Sequence, residues 1–266
     1  MNQSHCRNHL LASLPPVVYD AWQADFERVQ LQQGQVLNEP GQRITHVYFP
    51  LTAIVSWVYM LENGSSTEIA MAGREGCVGM HFLLGSTTPN QAVVQTTGGA
   101  IRIRADLVRQ SFHSDAVVQT LFLRFTQSLL TQIGLGAVCR SHHTVDQQLS
   151  RLVLMVLDRQ DSAHLYMTHE SLSQLLGVRR EAVSLAAARL MKAGLIRYVR
   201  GHISVLDRSG LAGSSCECYS VLQLPESPAQ THPCLPSSPA HIKLPPSDAG
   251  WRSGSSRPPC AGLLCA

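Results

Sequence analysis

A chain of 266 residues, 44% hydrophobic and 15% charged, carries enough apolar material for one large domain or two ordinary ones, which excludes a wholly disordered protein. Its formal net charge is only +3, which excludes a polycation and leaves any nucleic-acid contact to local charge. Residues 1–16 hold only Leu10-Leu11-Ala12 as an apolar run, too short for a signal peptide, and the mostly apolar stretch 51–61 falls far below the roughly 18–20 residues of a bilayer span, so a cytoplasmic location without a membrane partner is expected.

Eight cysteines are spread along the chain. Cys6, Cys77 and Cys139 stand singly, Cys216 and Cys218 form a Cys-x-Cys, and Cys234, Cys260 and Cys265 fall near the end. No Cys-x-x-Cys occurs, and no spacing supplies four ligands for zinc or an iron–sulfur cluster. Reduced structural thiols are expected, with no metal and no cofactor.

Residues 8–31 read as short helices, because Tyr19, Trp22, Phe26 and Val29 recur at three- and four-residue spacing with Asp20, Asp25 and Glu27 between them. From about Val36 the pattern turns to short strands. Val47-Tyr48-Phe49 and residues 53–60 are rich in β-branched and aromatic side chains. Asn63-Gly64 is the pair a type I′ turn demands, and residues 67–71 supply the returning strand. Residues 92–96 and 100–104 repeat the arrangement, with Gly98-Gly99 as the expected turn. In the last strand Ile101 and Ile103 face one way, Arg102 and Arg104 the other. Many short strands with glycine-rich turns predict a small antiparallel β-roll or barrel.

From Asp106 the signal is helical. Over residues 115–139, Val118, Leu121, Phe122, Phe125, Leu129 and Ile133 form a stripe too apolar for an exposed lone helix. Two readings fit: a core helix packed on the roll, or a subunit interface in which Leu121, Phe125, Ser128, Gln132 and Leu135 make a rough coiled-coil seam. Gly134 and Gly136 weaken the helix and could mark a bend. Residues 144–159 predict another amphipathic helix, with Leu149, Leu152, Val153, Val156 and Leu157 inward. His142 and His143 at the junction diverge by about 100° on a helix, and read as solvated rather than as a metal pair.

Residues 168–208 carry the functional signal. Thr168 is a good N-cap and Glu170 favours a helix N-terminus. Leu172, Leu175 and Leu176 form an apolar face, and Gly177 stands where a left-handed residue ends the helix. A second helix runs from near Arg179 to Lys192, with Val183, Ala187 and Leu190 inward. The pair makes a helix-turn-helix. Glu181, Ser184, Leu185, Ala188, Arg189 and Lys192 point outward, and Arg179 and Arg180 sit at the tip that meets base edges. Arginine donates two bonds to guanine, and glutamate accepts from cytosine N4. The segment holds seven Lys/Arg against three Asp/Glu. Residues 195–199 and 202–206 then read as two strands around Arg200-Gly201. They form a wing whose Arg200 and His202 can meet phosphate.

These residues resemble the Crp/Fnr family of bacterial regulators. The motifs are Leu-Leu-Gly-Val-Arg-Arg-Glu-Ala-Val-Ser (175–184), Ala-Gly-Leu-Ile-Arg-Tyr (193–198) and Arg-Gly-His-Ile-Ser-Val-Leu-Asp-Arg (200–208). The resemblance spans about residues 10–221 and implies an α+β chain. A cyclic-nucleotide-binding-like antiparallel β-roll would occupy 10–114 as sensor, a long dimerisation helix 115–140, and a winged helix-turn-helix 141–221. It further implies a homodimer, a pseudo-palindromic site on double-stranded DNA, and RNA polymerase as a partner. In the family's best-known member an Arg-Glu pair and a second arginine read the groove. Arg180 and Glu181 match the pair, while Leu185 stands in place of the second arginine, which implies a different operator. Where cyclic-nucleotide binders hold ribose and phosphate, this chain has Gly79-Met80 and Asn90-Gln91. With no arginine there to pair with a phosphate, the pocket is expected to be degenerate and the effector to be something else.

Residues 222–266 hold nine of the fourteen prolines and no sustained period, which predicts a disordered tail. Residues 215–219 still resemble the family's usual ending, so the remainder reads as an added extension, of the kind a read-through or a shifted frame produces. No P-loop and no G-x-S-x-G occurs, and no enzyme activity is expected. The alternative function is a ligand-binding signalling module whose helical domain contacts protein rather than DNA.

Overall fold

The computed structural model describes residues 7–62, 64–83, 87–160, 162 and 164–223. The chain starts with α1 (His9–Ala12) and α2 (Pro16–Gln23). Asn8 caps α1 by accepting from the Leu11 amide, and its side chain donates to the carbonyls of Pro50 (2.9 Å) and Gly76 (2.8 Å). Buried, it ties the N-terminal segment to the strand residue Pro50 and to the turn at Gly76.

The helical reading of 8–31 is corrected beyond Gln23. Phe26 and Val29 belong with β1 (Glu27–Leu31), which pairs with a later strand. The ring of Phe26 meets Tyr19 edge-on at 5.6 Å. A helix and a strand approach one core from different sides, and together they mimic a single helical period.

The roll consists of two antiparallel sheets sharing that core. One has the order β1-β7-β3, with β3 (His46–Pro50) and β7 (Gly98–Arg104). The other is β2-β6-β4-β5, with β2 (Val36–Asn38), β4 (Ile54–Met60), β5 (Ser66–Ala72) and β6 (Gln91–Thr96). The expected β4–β5 hairpin forms, with Met60 opposite Ser66; Asn63 of its turn lies outside the described residues. The second expected hairpin does not form. β6 and β7 lie in different sheets, and Gly98 opens β7 opposite Leu31 instead of making a turn. A Cβ on Gly98 would stand 2.4 Å from the Ala53 nitrogen, so glycine is needed where the chain crosses between the sheets. Ile101 and Ile103 are buried and Arg104 is exposed, as alternation requires.

Helix α3 (Ala105–Ser114) leads into α4 (Ala116–His142), whose N-terminus Asp115 caps by accepting from the amides of Val117 and Val118. At 27 residues, α4 is about 40 Å long. Of its two expected roles, one face takes the first, packing on the roll. Val118, Phe122 and Phe125 bury themselves in the roll core. Gln132 is buried too, and binds the Met71 backbone with both ends of its amide. Phe125 and Gln132 are therefore spent within the chain.

Helix α5 (Val145–Asp158) starts at a capping box between Thr144 and Gln147, and residues 148–157 are all buried. It is the axis of the C-terminal domain: β8 (His164–Tyr166), α6 (His169–Leu176), α7 (Arg180–Lys192), β9 (Ile196–Val199), β10 (His202–Val205), α8 (Arg208–Gly213) and α9 (Glu217–Leu222). The roll packs directly on this domain. Ile54 and Met71 join its core, and the buried Arg159 side chain pairs with Glu75 at 2.6 Å. Helix α9 runs through Leu222, and the tail expected from that point lies outside the described residues from 224 on. No described helix is long and apolar enough to cross a membrane.

Candidate nucleic-acid interface

Thr168 caps α6, accepting from the Ser171 amide at 3.1 Å. The helix ends at Gly177, in the left-handed region with φ 68°. Close approach adds a second demand there, because a Cβ on Gly177 would lie 3.0 Å from the Thr67 hydroxyl of β5. Leu172, Leu175 and Leu176 from α6 meet Val183, Ala186, Ala187 and Leu190 from α7 in one apolar core. That packing sets which face of α7 remains outside.

The outer face presents Arg179, Arg180, Glu181, Leu185 and Lys192, all exposed. Leu185 is 60% exposed, an apolar side chain with no intramolecular burial to explain it. Two predicted residues have partners instead. Ser184 donates to the Arg180 carbonyl and sits 2.9 Å from His169 Nδ1. Arg189 makes a two-pronged pair with Asp146 at the start of α5, both bonds 2.6 Å. That hydrogen bond raises the Arg189 pKa and locks α7 to α5. Arg189 thus positions the helix.

Beneath the tip of α7, the His169 ring packs at 4.5 Å against Tyr198, the two planes inclined by 47°, and the Tyr198 hydroxyl donates to the Met167 carbonyl. Burial, and then the Arg180 cation, lower the His169 pKa. Burial likewise raises the Tyr198 pKa.

The wing is a three-stranded sheet, β8-β10-β9. Val199 pairs with His202 across Arg200 (φ 49°) and Gly201 (φ 84°). Positive φ at both central residues is the type I′ geometry that suits the twist of a hairpin. It leaves the Arg200 side chain exposed at the tip. His202 lies against Tyr166 at 4.9 Å. Strand β8 went unpredicted, because three residues carry too little periodicity to announce themselves.

In the roll, Gly79 packs on β3 with φ 104°, and a Cβ there would come within 2.7 Å of the His46 carbonyl. Met80 is buried in the core. The Asn90 amide donates to the Thr88 hydroxyl, and the Gln91 side chain donates to Glu39 at 2.9 Å. Met80 and Gln91 are thus engaged inside the roll. A cleft lies elsewhere, between roll and helices, lined by Glu68, Gln132, Arg140, Arg151, Leu152 and Leu175 among others. These residues come from β5, α4, α5 and α6, too far apart in the chain for a motif.

The four residues Cys139, His143, Cys216 and Cys218 converge where α4 ends and α9 begins. The expectation of scattered thiols and a solvated histidine pair is corrected here. His142 is exposed, but the His143 side chain is only 11% exposed. The signal was a Cys-x-x-x-His and a Cys-x-Cys, incomplete apart and joined only by folding. Cys77 is buried in the roll.

Residues 147–213 match the model of the Crp-like helix-turn-helix domain. No curated protein matches in sequence. Among solved structures, a putative Crp/Fnr transcriptional regulator from Eubacterium rectale is 13% identical, with a TM-score of 0.62 over 78% of this chain and 97% of its own. FixK2 from Bradyrhizobium japonicum is 15% identical, with a TM-score of 0.61 over 72% of this chain and 98% of its own. A CRP-family transcriptional regulator from Thermus thermophilus is 18% identical, with a TM-score of 0.60 over 72% and 99%.

Proposed function

From the premise that residues 147–213 are a Crp-like helix-turn-helix domain on the fold of the Crp/Fnr regulators, we propose that this chain is a dimeric, sequence-specific DNA-binding regulator of transcription. The observation that carries the reading is the outer face of α7. Arg179, Arg180, Glu181, Leu185 and Lys192 stand free of the core on a helix clamped by the Arg189–Asp146 pair, beside a wing tipped by Arg200. Arg180 and Glu181 read base edges, and Leu185 suits a thymine methyl. Arg179, Lys192, Arg200, Thr168 and His202 face the backbone, while Ser184 and Arg189 orient the helix.

Fluorescence anisotropy on duplexes selected from random sequence tests this. Binding of the selected duplex should exceed that of a scrambled one by at least about a thousandfold and weaken steeply as salt rises. Equal affinity for both duplexes would favour the alternative, a signalling module acting through protein contacts.

We place the subunit interface on the solvent face of α4. Leu123, Gln127, Leu130, Gly134 and Ala137 lie within about 80° of one another's direction at 100° per residue, opposite Phe125 and Gln132. All five are exposed, Leu130 at 64%, and nothing lies within 4 Å of where a Gly134 Cβ would be. A seven-residue repeat of Leu123, Leu130 and Ala137, with glycine beside it, suits close packing of two helices. Of the seam expected from the sequence, Leu121, Ser128 and Leu135 fall on the flank nearer the core. Leu130→Arg should give a monomer by sedimentation and lose affinity for the full palindrome by at least about a hundredfold, since the linked second half-site is gone. A variant that stays dimeric would move the interface elsewhere.

The roll is proposed as a sensor with a degenerate cyclic-nucleotide pocket. Asn90 and Gln91 offer no cation to a phosphate, and Gln91 is engaged by Glu39.

A further inference from the structure

We propose that Cys139, His143, Cys216 and Cys218 form a tetrahedral zinc site that pins the last helix of the winged domain to the end of α4. Cys139 lies in the last turn of α4 and His143 caps that helix, its amide donating to the Cys139 carbonyl at 3.0 Å. Cys216 caps α9, and Cys218 lies in its first turn. The four ligand atoms all lie within 4.8 Å of one another. Cys139 Sγ is 3.5 Å from Cys216 Sγ, and Cys218 Sγ is 3.7 Å from His143 Nδ1. Bond lengths of about 2.3 Å to sulfur and 2.0 Å to nitrogen put tetrahedral edges at about 3.5–3.8 Å. Two edges already have that length, and the widest separation needs to close by only about 1 Å.

The surroundings fit an ion as well as the ligands do. With Nδ1 turned to Cys218, the other ring nitrogen of His143 lies 3.2 Å from the Glu217 carboxylate. Such a carboxylate fixes the tautomer and orientation of a metal-bound imidazole. The three cysteines are buried, with Leu135 packed against them, so the site is closed to solvent in the manner of structural zinc. Three thiolates and a neutral imidazole around Zn(II) carry a net charge of −1, and Arg151 of α5 is the cation that acts on Cys139 and Cys218.

Without an ion the arrangement is costly for thiolates. Burial pushes the Cys139 thiol up to about 12, and burial raises Cys218 as well. Thiolates, not thiols, bind the metal, so its binding releases protons to solvent. Soft sulfur ligands in a tetrahedral set select zinc over magnesium or calcium. A disulfide uses only two of the three thiols and gives the histidine no role. A multinuclear iron–sulfur cluster, with its thiolates on different irons, needs a wider cage.

The test uses the untagged full-length chain, purified under reducing conditions. Elemental analysis should find about one zinc per chain. Cobalt exchanged into the site should give the intense ligand-field bands of a tetrahedral complex, with sulfur-to-metal charge transfer. The double variant Cys139→Ser/Cys216→Ser should lose the ion and the bands. A variant with Cys6, Cys77, Cys234, Cys260 and Cys265 all replaced by serine should keep both. If the double variant misfolds, the wild-type chain still decides the matter: a chelator should remove one equivalent, lower the melting temperature, and restore it on zinc return. No bound metal, weak six-coordinate cobalt bands, metal retained in the double variant, or a Cys139–Cys216 disulfide formed in place of the ion would overturn the proposal.

Discussion

Replacing Arg159 by methionine is expected to lower the unfolding free energy by about 3–5 kcal/mol, the cost of leaving a buried carboxylate without its counter-charge. The Arg159 side chain is 4% exposed and that of Glu75 is 11%, so little water can take over. Three bonds depend on the geometry. Arg159 Nε donates to Glu75 at 2.6 Å, Arg159 Nη1 donates to the Met155 carbonyl at 2.8 Å, and the Gly73 amide donates to the other Glu75 oxygen at 3.1 Å. The pair joins the 73–76 turn of the roll to the C-terminal end of α5, so its loss loosens the seam between the two halves of the chain. Chemical denaturation of wild type and Arg159→Met measures the effect. The double variant Arg159→Met/Glu75→Leu should recover much of the loss, because it removes the stranded charge along with its partner. A loss under about 1 kcal/mol would mean that water reaches Glu75 after all.

Arg180→Ala should weaken binding of the selected operator ten- to a hundredfold, or about 1–3 kcal/mol, and relax the preference for one base pair in each half-site. Binding to scrambled DNA should fall far less. Arg189→Ala is the informative contrast. Arg189 is held by Asp146 rather than turned to solvent alone, so its removal should lower stability while leaving the base preference intact. Base preferences read from a randomised pool separate the two cases. Unchanged preferences in Arg180→Ala would move base reading to another side chain of α7.

Where local chemistry suffices, sequence reasoning and structure agree. Thr168 as cap, Gly177 in the left-handed region, and the apolar faces of α6 and α7 are decided within a few residues of chain. The same holds for Arg200-Gly201 in the wing, where two positive φ values meet the demand of a tight hairpin. Errors arose where a pattern had two physical sources. Tyr19, Trp22, Phe26 and Val29 have helical spacing, yet a helix and a strand contribute to it. Gly98-Gly99 resembles a turn, yet Gly98 is there because the Ala53 backbone passes too close for a side chain.

By itself the sequence determined the winged helix-turn-helix, the order of roll, long helix and C-terminal domain, and the residues at the tip of α7. These follow from caps, turns and periodicity, which act over one or two turns of chain. Only the tertiary structure decided which stripe of α4 faces the roll, which arginine of α7 is tied down by Asp146, and where the thiols meet. The period of α4 allows apolar residues on two faces, and packing against β5 selects one. Cys139 and Cys216 are 77 positions apart, and nothing local to either announces the other. Their meeting depends on α5 and the winged domain folding back to the end of α4, a long-range event driven by burial of two apolar cores.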